Sequence, residues 1–206
     1  EWFGRQRGFV HWREHQRRSG QLPDHHGQRN GQLVYDRISQ AGASLTRITL
    51  TWPLVVSQTE PVDWDPSDPA DPNYNWLAFD IEIREAVAAG LQPIVQIASA
   101  PQWAVGCKSP EGTGICRPDA VAFASFAAAA AKRYSGNFED LPRVRLWEPW
   151  NEPNLRANLY PQMGQGMSSS AVIYRKLLNR FTAAVKKVDP RNLVVAGGLA
   201  PLGGED

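Results

Sequence analysis

Four times in 206 residues the chain repeats one beat: an amphipathic helical stripe, a glycine or proline stop, then a short apolar run. Val34, Ile38 and Ala41 mark one face of a first helix that Gly42 ends, and residues 45–50 follow as a strand. Trp76, Phe79, Ile83 and Val87 step by three and four towards Gly90, ahead of a strand over residues 91–98. Phe123, Phe126, Ala130 and Tyr134 form a third stripe, with Pro118 in its first turn and Gly136 past its end, before a strand over residues 144–151. Tyr174, Leu178, Phe181, Val185 and Val188 make the fourth, with caps among Ser168, Ser169 and Ser170 and a stop at Asp189-Pro190; a strand over residues 193–196 closes the series. Strands that each follow a helix lie parallel and are joined by right-handed crossovers. The class is α/β.

An open doubly wound sheet carries a glycine-rich phosphate loop after its first strand, and no such motif occurs, so a TIM (β/α)8 barrel is expected. A full barrel takes about 250 residues. The chain therefore predicts an incomplete barrel of about five strands and four helices, with residues 1–206 as the N-terminal portion of one domain. Residues 1–31 are atypical, holding all four histidines and six arginines among Gln and Gly. Only Gly8-Phe9-Val10-His11-Trp12 looks like a strand there, which leaves strand 1 open. His11 and His15 are four apart, but no Cys or carboxylate spacing joins them, and no metal site is assigned.

Lys plus Arg number 22 against 21 for Asp plus Glu, a net charge of +1, which gives no case for nucleic acid or an anionic membrane surface. No apolar run reaches the roughly 18 residues of a membrane span. The sequence opens at Glu1 without a methionine or a charged-then-apolar leader, so a secretory signal is expected to have been removed or never to have belonged to it. Oligomeric state is not legible.

Chemistry concentrates in Arg145-Leu146-Trp147-Glu148-Pro149-Trp150-Asn151-Glu152-Pro153-Asn154. It reads as a buried strand that delivers Asn151 and Glu152 to the mouth of a pocket. Pro153 should hold Glu152 extended, as the last ordered residue of that strand. Partial desolvation favours the protonated form of a carboxylic acid, which suits general-acid work.

Trp150-Asn151-Glu152-Pro153-Asn154 resembles the strand-4 signature of the retaining glycoside hydrolases built on (β/α)8 barrels, and most of all their cellulase-like and xylosidase-like members. The resemblance spans residues 32–201 and is most specific over residues 147–154. It implies that Glu152 is the acid/base, that Asn151 hydrogen-bonds the sugar 2-hydroxyl, and that the nucleophile stands at the end of a seventh strand, missing from this chain. Arg47, an arginine inside the apolar second strand, would support that nucleophile. Trp103, in Ala100-Pro101-Gln102-Trp103-Ala104, matches a Pro/Trp loop beside the sugar site and would be a stacking platform, with Trp52 and Trp150 as further substrate-binding aromatics. The implied partner is a carbohydrate, with no cofactor. Eight Trp suit sugar stacking, although large aromatics equally fill cores.

Glu148 invites assignment as the second carboxylate. Four residues of strand separate it from Glu152 by about 13 Å, whereas retention needs carboxyls about 5–5.5 Å apart. It reads instead as an inward acid needing Arg47 or Arg145 as partner. Cys107 and Cys116 flank a flexible eight-residue stretch and are expected to form a disulfide in an exported protein, bracing the loop that carries Trp103. Closing so short a loop contributes about 2.5 kcal/mol on the chain-entropy model. The expected location is extracellular. The competing reading is a non-catalytic carbohydrate-binding protein on a degenerate barrel, which keeps Trp52, Trp103 and Trp150 as stacking surfaces but has no need of an ionisable residue at 152.

Overall fold

The computed structural model describes residues 25–109, 115–164 and 167–201. In chain order the elements are α1 (His25–Gln40), β1 (Leu45–Thr51), α2 (Leu77–Ala88), β2 (Gln92–Ala98), α3 (Ala120–Arg133), β3 (Leu146–Pro149), β4 (Met163–Gly164), β5 (Met167–Ser168), α4 (Ser169–Val188) and β6 (Leu193–Val194). Four of the strands form one sheet in the order β1-β2-β3-β6, with every neighbouring pair parallel. The helix-then-strand beat thus gives the parallel α/β sheet expected. The possible strand near Val10, and His11 and His15, lie outside the described residues.

The glycine stops act by a common device. Gly42 and Gly90 sit at φ +88° and +80°, a region costly for residues with a Cβ. Beyond Gly42 the Ala43 N–H returns to the Ile38 carbonyl at 3.3 Å, and beyond Gly90 the Leu91 N–H returns to Ala86 at 3.0 Å, so each chain leaves its helix aimed at the next strand. At the other ends, Asp119 caps α3 by accepting from the N–H groups of Val121 and Ala122, and Ser168 caps α4 by accepting from Ala171. Pro118 therefore stands just outside α3 rather than in its first turn. The short antiparallel β4–β5 hairpin has no counterpart in the sequence reading.

Strand alternation sorts the sheet into two unlike faces. Ile48, Leu50, Val95, Ile97 and Trp147 are buried and share one core with Phe79 and Ile83 of α2, Phe123 and Phe126 of α3, and Phe181 of α4. Each such side chain contributes about 1.5–3 kcal/mol relative to exposure. The opposite face presents Arg47, Thr49, Gln96 and Glu148, with Thr49 in register with Gln96 and Gln96 with Glu148. A bidentate contact from Arg133 to Asp80, at 2.6 and 2.8 Å, clamps α3 to α2. Among the described residues no helix is long and apolar enough to cross a membrane.

Candidate active site

The strand carrying the signature stops earlier than its sequence suggests. β3 ends at Pro149, where the ladder loses a donor, and Trp150 (φ +68°) and Glu152 (φ +41°) both adopt left-handed backbone. The expectation of an extended Glu152 is corrected by its hydrogen bonds. Its N–H donates to the Gly198 carbonyl at 2.9 Å, while its own carbonyl accepts from Leu155 at 3.0 Å and starts a turn. Ser99, at the end of β2, has φ +67°. Ser99, Trp150 and Glu152, three of the six non-glycine residues with positive φ among the described residues, line one cavity of about 250 Å³.

Glu152 is half-buried on the wall of that cavity, and two amides converge on one of its oxygens. Asn151 Nδ2 donates to Oε2 at 3.4 Å and Asn158 Nδ2 to the same atom at 3.3 Å. Behind Asn151 the hydrogen bonds continue across the sheet. Gln96 Nε2 donates to Asn151 Oδ1 at 3.3 Å, and Thr49 Oγ1 donates to Gln96 Oε1 at 3.1 Å. The sequence reading did not single out Thr49, Gln96 or Asn158. For Gln96 a signal existed, since it interrupts an apolar strand as Arg47 does.

Glu148 is buried on β3 with its side chain 5% exposed, and its partner is Arg47 at 3.8 Å, not Arg145. The space it occupies exists because residue 198 is glycine: a Cβ there would collide with Glu148 Oε1. Arg47 is partly exposed and lines the same cavity as Glu152. Among the described residues that line it, Glu152 is the one carboxylate.

The tryptophans are placed differently from expectation. Trp52 is fully buried, stacked on Phe126 at 5.3 Å and met edge-on by Trp103 at 5.4 Å, so its faces are closed by protein. Trp150 is 1% exposed, its Nε1 donating to the Asn158 carbonyl at 3.2 Å and its ring edge-on to Phe123. Neither ring offers an open stacking face; Trp52 lies away from the cavity, whereas Trp150 lines it beside Asn151 and Glu152. The cause is the shared core, where an indole gains more from packing than from a rim position. Trp103 is half-buried outside the cavity, donating Nε1–H to the Ser57 carbonyl at 3.0 Å and standing edge-on to Trp64.

Cys107 and Cys116 are bonded to each other. The residues on either side of Cys116 are tied to the segment after Asn158: Arg117 N–H donates to the Tyr160 carbonyl at 3.0 Å and Tyr160 N–H to the Ile115 carbonyl at 2.9 Å. Because Ile115 lines the cavity, the cross-link braces its wall as well as the Trp103 loop. Among the described residues no group of three or more His, Cys, Asp or Glu is placed to hold a metal ion.

No protein-family model matches the sequence, and no curated protein sequence matches it. Solved structures do match. A family 39 glycoside hydrolase from Bacteroides cellulosilyticus WH2 aligns with 82% of this chain at TM-score 0.50 and 22% identity. A glucosidase from Croceicoccus marinus aligns with 78% at TM-score 0.51 and 21% identity, and endoglucanase Cel5A from Thermotoga maritima with 84% at 0.51 and 20%. The fold is part of a (β/α)8 barrel of the kind these glycoside hydrolases use. The chain spans 29%, 31% and 45% of those three chains, less than half of each.

Proposed function

We propose that this chain belongs to a retaining glycoside hydrolase that cleaves O-glycosidic bonds in oligo- or polysaccharides. The observation that carries the reading is Glu152: a carboxyl group at the end of a barrel strand, on the wall of a cavity, with one oxygen fixed by two amides. In the first step its acid form protonates the glycosidic oxygen as the bond to the anomeric carbon breaks; in the second its carboxylate takes a proton from the attacking water. Asn151, beside it, is the group within reach of a sugar hydroxyl. The nucleophile is supplied by a carboxylate from outside the described residues, on a later strand of the completed barrel. Arg47, on the open face and lining the same cavity, adds positive charge there.

The alternative, a sugar-binding protein without catalysis, keeps Trp103 and the cavity-lining Trp150 but not the enclosed Trp52, and gives no role to an ionisable group at position 152. The bonded Cys107–Cys116 pair supports an extracellular location, since such cross-links persist in oxidising compartments. With no second carboxylate among the described residues that line the cavity, this chain by itself should turn over little substrate. The test is Glu152→Gln in the complete protein, assayed on aryl β-xyloside, β-glucoside and β-galactoside with good and poor leaving groups. Hydrolysis of poor leaving groups should fall by about a hundredfold or more, and that of activated ones much less. Equal losses on both would remove the acid/base assignment.

A further inference from the structure

Gln96 sits on β2 with 1% of its surface exposed, in register between Thr49 and Glu148. A buried amide left unpaired costs about 1–3 kcal/mol, yet at this site both of its ends are used. Its Oε1 accepts from Thr49 Oγ1, and its Nε2 donates to Asn151 Oδ1. An asparagine amide has one acceptor end and one donor end. With Oδ1 committed to Gln96, the donor end is the one turned to Glu152 Oε2. Were the Asn151 amide to turn over, its oxygen would face a carboxylate oxygen and its NH2 would face the NH2 of Gln96, so both contacts would become repulsive.

We propose that Gln96 is a positioning residue that acts through Asn151: it fixes the sense of the Asn151 amide and thereby the orientation of the Glu152 carboxyl group. Thr49 holds Gln96 in turn, so the ends of β1, β2 and β3 are joined to the reacting group by one line of side chains. The inference rests on the reading of Glu152 as acid/base. Gln96 lines the cavity with only 1% of its surface exposed, and in this scheme it acts on the reaction through Asn151. Its loss acts on the step in which Glu152 gives its proton, because a misplaced proton donor matters only when the leaving group needs a proton.

The experiment is a double-mutant cycle in the complete protein, reading kcat/KM on aryl glycosides of one sugar with poor and with activated leaving groups. Gln96→Leu should lose about tenfold to a hundredfold on poor leaving groups and much less on activated ones. In an Asn151→Ala background the same substitution should cost nothing further. Gln96→Glu keeps the shape and accepts rather than donates, which turns the Asn151 amide over; it should show the selective loss even if Gln96→Leu fails to fold. Equal losses for both leaving-group classes, or losses that multiply with those of Asn151→Ala, would overturn the proposal. Glu152→Gln measured alongside separates the two levels. If it is selective for poor leaving groups while the Gln96 variants are not, Gln96 has no positioning role and the acid/base reading stands; if it is not selective, both fall.

Discussion

Asn158 reaches back six residues to donate its side-chain amide to Glu152 Oε2 at 3.3 Å, the same oxygen that Asn151 holds from the neighbouring position. Both amides hold Oε2, so under the proposed acid/base role Oε1 would be the oxygen that presents the proton. They approach from different parts of the chain, Asn151 on the strand end and Asn158 on the turn after it. The Asn158 carbonyl also accepts the Trp150 indole N–H, so the turn is anchored on both sides of its amide.

Asn158→Ala should therefore loosen the carboxyl group without opening the core. A hydrogen bond to a charged group in a half-exposed site is worth about 1.5 kcal/mol, so kcat/KM on poor leaving groups should fall about tenfold while the unfolding midpoint changes little. Steady-state kinetics with paired leaving groups and a urea titration check both halves. Full activity on poor leaving groups would show that Asn151 alone orients Glu152.

Gly198→Ala should destabilise the fold by about 1–3 kcal/mol, because the new Cβ meets Glu148 Oε1 and forces a buried carboxylate away from Arg47. The cost is steric. Replacing Glu148 by Ala in the same molecule removes the obstacle, and Gly198→Ala should then cost much less. Chemical denaturation of the two single variants and the double variant measures this coupling; additive losses would disprove the contact.

Asp80→Ala should cost about 3–5 kcal/mol, the range for breaking one side of a mostly buried ion pair. The side chains of Arg133 and Asp80 are 10% and 15% exposed, and Tyr134 Oη donates to the same carboxylate at 3.0 Å. Asp80→Asn, which keeps an acceptor, should fall between this variant and the parent. Thermal and denaturant unfolding would show the order; a loss under 1 kcal/mol for Asp80→Ala would mean that the pair contributes no more than a surface contact.

Asp189 is held down to about 2, first by the Arg191 side chain, which donates at 3.1 and 3.0 Å, then by the Arg191 N–H, with Arg143 close by. The unfolded chain titrates near the ordinary value of about 3.9. A pKa lowered by folding stabilises the folded state fully above that value, and the contribution is lost as pH falls through about 2. NMR titration of the side-chain carboxyl should place Asp189 well below the ordinary aspartate value, and Arg191→Ala should raise it. An ordinary titration in the parent protein would contradict the geometry.

Residues adjacent in the chain settled what depends on local periodicity. Stripes with a period near 3.6, glycines at Gly42 and Gly90 and apolar runs between them specify helix, stop and strand, because the backbone preferences that produce them act within a few residues. Glu152 and Asn151 were legible for the same reason, as a contiguous motif. What the sequence left undecided depends on residues far apart in the chain. Thr49 and Gln96 are 47 positions apart and meet only because β1 and β2 pair in parallel at that register. Trp52 could have faced ligand or core, and packing on Phe126 drew it inward, while Trp150 meets Phe123 edge-on and still lines the cavity. The left-handed turn at Glu152 is likewise a tertiary decision: Pro153 alone argues for extended backbone, but a hydrogen bond to Gly198, 46 residues later, stabilises the conformation that points the carboxyl group into the cavity.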